Sequence, residues 1–204
     1  NIKQKSTMFE DFVNFVQDLY STQEPIPLHA PQFHGNEKKY LIETIESTFV
    51  SSAGEFVDYF ESLVQNYTGI KYAIATVNGT AAIHLALKLS GAARDTEVIT
   101  QSLTFVATCN AIRYCEANPV FVDVEKSTLG LSPQSLQEFL EENCELRDDG
   151  FCWNKSTNRR IVACLPMHTF GLPVQLEEIK HICDRFNIEL IEDASESMGS
   201  FYKE

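Results

Sequence analysis

Apolar residues recur at helical spacing over the first third of the chain. Phe9, Phe12, Val13, Val16, Leu19 and Tyr20 follow the 3.6-residue period, so residues 7–20 are expected to form a helix, with Thr7 and Glu10 as a capping-box start. Residues 21–35 hold Pro25, Pro27, Pro31 and Gly35 and read as an extended connector. Helices are expected at 36–49 and 55–67, parted by Ser51-Ser52-Ala53-Gly54. Then the pattern changes. Short apolar runs at 72–77, 97–101, 119–124, 160–165 and 188–192 alternate with helical stretches at 80–90, 104–115, 133–143 and 175–186. Residues 144–158 are polar and read as irregular, with a turn at Asp148-Asp149-Gly150.

Strands that alternate with helices imply right-handed crossovers and a mostly parallel sheet. The runs are continuously apolar rather than alternating, as strands covered on both faces should be. The expected architecture is therefore α/β, a three-layer α/β/α sandwich over residues 68–204, preceded by a helical arm over residues 1–67.

Length and composition narrow the function classes. A chain of 204 residues can bury one sizeable core. Its net charge of −13 repels phosphate backbones and argues against nucleic acid as a partner. No apolar run is long enough for a membrane span, and the polar start at Asn1 is not a secretory signal; the lack of a first Met suggests a trimmed N-terminus. Six cysteines occur without a C-x-x-C pair, which favours scattered free thiols in a reducing, cytoplasmic compartment over zinc or disulfides.

In parallel α/β sheets, ligands gather at the carboxyl ends of the strands, so the residues there are the candidates. After the first expected strand comes Asn78-Gly79-Thr80, which reads either as a phosphate cradle at a helix N-terminus or as a simple cap. Phe105 follows the second, and could cover a flat ring or pack into the core. His168 follows the fourth, as a cofactor or substrate contact or as a structural hydrogen-bonder. Asp193 closes the fifth. A carboxylate at the end of a buried strand needs a strong partner, either a protonated heterocycle or the amides of a helix start.

Taken in order, Gly79-Thr80, Thr104-Phe105, His168-x-x-Gly171-x-Pro173 and Glu192-Asp193-Ala194-Ser195-Glu196 resemble the DegT/DnrJ/EryC1/StrS family. The resemblance runs from near Pro27 to the last residue and includes Ser51–Gly54 with Phe60-Glu61, and the run Thr104–Ile112. It implies the large domain of a pyridoxal-phosphate sugar aminotransferase of the aspartate aminotransferase-like fold type I, in truncated form. By position, Asn78, Gly79 and Thr80 would hold the cofactor phosphate, Phe105 would stack on the ring and Asp193 would pair with the ring nitrogen. Glu196 would lie near the ring hydroxyl, and His168 would be a candidate substrate contact. Glu at that position suits the perosamine-synthase-like and legionaminic-acid branches, and residues 40–60 and 144–160 resemble the latter.

The resemblance further implies a homodimer acting on a nucleotide-linked 4-keto-6-deoxy sugar, with glutamate as amino donor, in surface glycan biosynthesis. The family's Schiff-base lysine would lie beyond Glu204; Lys203 reads as a solvated lysine rather than its replacement. The chain on its own is expected to be inactive or unstable. A sugar dehydratase of the same family, with His for that lysine, and a non-catalytic protein of the same fold are the competing readings.

Overall fold

The computed structural model describes residues 4–27 and 30–203, with side chains from residue 9 onward. The chain divides into two units, Asn1–Tyr67 and Thr68–Glu204. The first contains α1 (Gln4–Leu19), α2 (Glu37–Ser47) and α3 (Glu55–Thr68, whose last residue enters the second unit). Helix α1 begins three residues ahead of the expected capping start, so Thr7 lies inside it; that side chain falls outside the described residues. No described side chain of this unit is buried, and Phe12, Phe15 and Leu19 each leave more than 60% of their surface exposed. The Tyr40 and Phe56 rings meet at 5.1 Å across α2 and α3. The unit is thus amphipathic helices without a core of their own.

The second unit holds a six-stranded sheet in the order β2-β1-β5-β4-β3, with β6 also on β5. Its strands are β1 (Thr96–Gln101), β2 (Asn118–Val122), β3 (Cys144–Leu146), β4 (Cys152–Asn154), β5 (Arg159–Leu165) and β6 (Glu189–Leu190). Strand β1 lies between β2 and β5, parallel to both. On the other edge of β5, Arg159–Ile161 pair with β4 and Ala163–Cys164 with β6. Most pairing is therefore parallel, as the apolar runs implied.

The helices are α4 (Gly79–Leu89), α5 (Val106–Tyr114), α6 (Pro133–Asn143) and α7 (Leu176–Arg185). Two clusters of apolar residues cover opposite faces of the sheet. Ile83 and Leu87 of α4 and Ala111 and Ile112 of α5 pack with Val98, Ala163 and Leu165. Leu136 and Leu140 of α6 and Ile179 and Ile182 of α7 pack with Ile99, Val122 and Cys164. Neighbours Val98 and Ile99 face opposite layers because strand side chains alternate. The pairing of β1 with β5 skips Val162, a bulge that lets Val162 and Ala163 face the same layer. The result is the expected α/β/α sandwich.

Two expectations change. Residues 144–158 are not irregular: Cys144 pairs with Asn154 and Leu146 with Cys152 in an antiparallel hairpin around Gly150. The charged residues hid it, because one face of the hairpin is wet and only Cys144, Cys152 and Asn154 turn inward. Buried Asn154 donates to buried Glu97 of β1 at 2.9 Å, locking the hairpin to the sheet. Residues 72–77 do not enter the sheet, although their composition suits a strand. A strand needs a neighbour's ladder, and none of the six runs beside this segment, where Tyr72, Ile74 and Val77 are 72%, 72% and 90% exposed.

Loop 123–131, between β2 and α6, is shaped by Glu125. Burial raises its pKa, but the hydroxyls and amides of Ser127 and Thr128 outweigh that and hold it at about 2. A depressed folded pKa gives stability that is present above the ordinary carboxylate range and lost as pH falls toward the folded value. Glu125→Gln should cost about 1 kcal/mol at pH 7, after discounting for solvent screening. Urea unfolding should show the gap between variant and wild type closing as pH drops from about 5 toward 2.

Candidate functional site

The carboxyl ends of β1, β5 and β6 meet at Asp193. The ladder between β5 and β6 runs on past the strands: the Asp193 amide donates to Pro166 O at 2.9 Å and the His168 amide to Asp193 O at 3.2 Å. These bonds fix the Asp193 backbone, and only 4% of the residue remains exposed. Its side chain has partners on two elements. Thr108, in the first turn of α5, donates its hydroxyl to Oδ2 at 2.7 Å. Ser195 donates its hydroxyl to Oδ1 at 2.7 Å and its amide at 3.3 Å. Asp193 is thus a buried acid whose side-chain partners among the described residues are neutral. A buried anion without a cation is costly, so the geometry calls for a cationic ligand.

The bend Asn78-Gly79-Thr80 lies against the same point. A Cβ on Gly79 would come 3.1 Å from Ser195 Oγ, which itself touches Asp193. Bend and acid are therefore neighbours through one serine. Asn78 caps α4: its Oδ1 accepts the Ala81 amide at 2.9 Å and its carbonyl accepts the Ala82 amide at 3.1 Å. The amides of Gly79 and Thr80, which open the helix, remain for a ligand at its positive end. Gly79 is exposed and carries no side chain to block that approach.

Phe105 stands at the N-cap of α5, one turn before Thr108, and is 69% exposed. An aromatic ring this exposed does not fill the core and is available to cover a flat ligand. Glu196 accepts the Phe170 amide at 2.9 Å. That amide belongs to a 3₁₀ turn, Thr169–Gly171, in which Phe170 has φ 54° and Gly171 φ 77°. A Cβ at Gly171 would meet Glu196 O at 2.8 Å, so the turn and the Glu196 loop approach too closely for a side chain there.

His168, the candidate substrate contact, is turned inward instead. It is 5% exposed; Nδ1 accepts the Val174 amide at 3.2 Å, which leaves the proton on Nε2 to donate to Glu192 at 3.0 Å. With both ring nitrogens engaged, it is a tether between the 166–174 loop and the strand end. Lys203 is exposed and pairs with Glu177 at 2.5 Å. All six cysteines are free, and no cluster among the described residues could hold a metal.

Sequence reasoning missed three contributors. Thr108 and Ser195 supply the hydroxyls on Asp193. Gln101, fully buried at the end of β1, donates to Leu103 O and Thr169 Oγ1 and accepts from the amides of Leu131 and Met167. Four bonds to three loops, those of Leu103, of Leu131 and of Met167 with Thr169, make it the hub beneath the site. A buried glutamine ending an apolar strand was the available signal.

The arrangement is compatible with a phosphorylated heterocycle that carries a cationic nitrogen. Asp193 would face the nitrogen, the Gly79-Thr80 amides the phosphate, and Phe105 the ring. The family model of the DegT/DnrJ/EryC1/StrS aminotransferases matches residues 31–204. The chain belongs to this family. A GDP-perosamine synthase of Caulobacter vibrioides is 35% identical over 178 residues, which is 87% of this chain and 43% of the relative. A putative pyridoxal phosphate-dependent aminotransferase of Bacillus subtilis is 37% identical over the same shares. Among solved structures, an aminotransferase from Psychrobacter cryohalolentis superposes with a TM-score of 0.71 at 27% identity, covering 87% of this chain and 41% of that one. 3-Amino-5-hydroxybenzoic acid synthase gives 0.70 at 26% identity, covering 87% and 42%.

The chain thus spans less than half the length of these relatives. Within this DegT-family chain, every candidate site residue lies in the Thr68–Glu204 unit, and α1 precedes the matched stretch. No helix among the described residues is long and apolar enough to cross a membrane.

The tether can be tested by itself. His168→Phe would leave Glu192 and the Val174 amide without their partner, costing about 1–3 kcal/mol. Denaturant unfolding should show the midpoint lowered by that loss divided by the slope, with the slope itself unchanged; an unshifted midpoint would remove His168 from the scaffold.

Proposed function

We propose that this chain forms the cofactor-binding part of a pyridoxal-phosphate-dependent aminotransferase that acts on nucleotide-linked sugars. One observation carries the reading: a buried, cation-seeking carboxylate at Asp193 stands beside an unobstructed helix N-terminus at Gly79, linked through Ser195. One small molecule with a cationic ring and an anionic tail satisfies both. Family membership supports the choice of pyridoxal phosphate, and the relatives named GDP-perosamine synthase support a nucleotide-linked 4-keto-6-deoxy sugar as amino acceptor.

The cofactor, when bound, supplies the electron sink that lets an amino group leave one substrate and join another. The chain's residues serve that chemistry by placement. Asp193 would hold a proton at the ring nitrogen through its charge, Gly79 and Thr80 would anchor the phosphate, and Phe105 would shield the ring face from water. Glu196, held by the Phe170 amide, would stand on the ring hydroxyl side. In this reading the amino donor is glutamate, and the lysine that carries the cofactor lies outside the 204 residues. The active assembly is a cytoplasmic homodimer, and its product feeds surface glycan biosynthesis, on the legionaminic-acid branch.

The whole protein should bind pyridoxal phosphate with a visible absorbance band that borohydride reduction makes permanent. Asp193→Asn, which keeps the shape and removes the charge, should lower kcat by about 10²–10³-fold while the fold, read by circular dichroism, is kept. A whole protein that takes up no pyridoxal phosphate would sink the proposal.

A further inference from the structure

We propose that Thr108 is a positioning residue that aims the Asp193 carboxylate at the cofactor's ring nitrogen, a role that rests on the cofactor reading above. Thr108 is fully buried and sits in the first turn of α5, on a different element from Asp193. Its hydroxyl has a single proton. That proton goes to Asp193 Oδ2 at 2.7 Å, so Thr104, 2.8 Å away, must donate to Thr108. Thr104 Oγ1 also contacts Met167 Sδ at 3.1 Å, which ties the same relay to the loop after β5. The relay therefore starts in the segment after β1 and ends on the acid.

Geometry separates Thr108 from Ser195. Ser195 is two residues from Asp193 and follows wherever the Asp193 backbone goes. Thr108 reaches Asp193 across 85 residues of sequence, from a helix packed on the sheet. It alone refers the carboxylate to the rigid core. With Oδ1 taking the hydroxyl and amide of Ser195 and Oδ2 the hydroxyl of Thr108, rotation about the Cβ–Cγ bond is opposed from both sides, and of the carboxylate's four lone-pair sites one is left, on Oδ2, the oxygen Thr108 holds. Hydrogen bonds to a charged acceptor are about twice as strong as neutral ones, so this constraint is a firm one. The same helix that carries Thr108 opens with Phe105, so α5 would set the ring's cover and its nitrogen partner together.

The test compares pyridoxal phosphate with its deaza analogue, in which carbon replaces the ring nitrogen. Dissociation constants are measured on the whole protein for wild type, Thr108→Val, Thr108→Ala, Thr108→Ser and Asp193→Asn. Loss of the hydroxyl should weaken pyridoxal phosphate about tenfold and leave the analogue within about twofold of wild type. Thr108→Ser should restore the wild-type difference between the two ligands. A hydroxyl-free variant that weakens both ligands by one factor, or neither, overturns the positioning role. If Val fails to fold, Ala carries the same comparison. The parent reading is judged separately: Asp193→Asn must lose the discrimination between ligands. If Asp193→Asn loses it and the Thr108 variants keep it, only the role of Thr108 falls. If Asp193→Asn also keeps it, the cofactor reading and the role of Thr108 fall together.

Discussion

A carboxylate buried to 4% exposure among neutral groups is the constraint around which the second unit is arranged. Taking a charge out of water costs several kcal/mol unless donors replace the solvent. Here the replacement is supplied by Thr108 from α5 and by Ser195 from the strand's own continuation. Two hydroxyls satisfy geometry but do not neutralise charge. The acid's side-chain partners among the described residues carry no positive charge to balance it.

Holding the acid in place requires that several loops stop in fixed positions at one edge of the sheet. Gln101 does this from below, with its amide bonded to the segments at Leu103, Leu131, Met167 and Thr169. His168 does it from the side, joining Glu192 to Val174. Neither needs to touch a ligand. Both replace the regular ladder that ends where the strands end, so that buried backbone groups remain paired. Glu97 and Asn154 perform the equivalent task at the other end, where a side chain of the hairpin, which pairs with β5, reaches across to β1.

The first unit follows a different logic. Its helices show large apolar side chains to solvent and none of its described side chains is buried. Amphipathic helices gain most of their stability from the surface they cover. Phe12, Phe15 and Leu19 on α1 mark surface of that kind.

Much of this was legible from residue order. The apolar runs located β1, β2, β5 and β6, the 3.6-residue period located α1, helical stretches between the runs located the other helices of the described residues, and their alternation implied parallel pairing. Motif order pointed to Asp193 and to the Gly79 bend, because chemistry at strand ends depends on which residue follows an apolar run. What the sequence did not disclose are relations between distant segments. Hairpin β3–β4 was hidden since its stability comes from contacts with β5 and Glu97 rather than from local alternation. The run at 72–77 has strand composition yet joins no sheet, because a strand exists only where another backbone meets it. His168 read either as a ligand contact or as a structural hydrogen-bonder, and only the fold shows both its nitrogens engaged within the protein. The residue types at the site, then, were fixed by the chain alone, through local periodicity and the order of its motifs. Which of them stand open, and which hydroxyls hold Asp193, was decided by packing α5 and the β5–β6 edge together, since a hydrogen bond spanning 85 residues leaves no trace in local pattern.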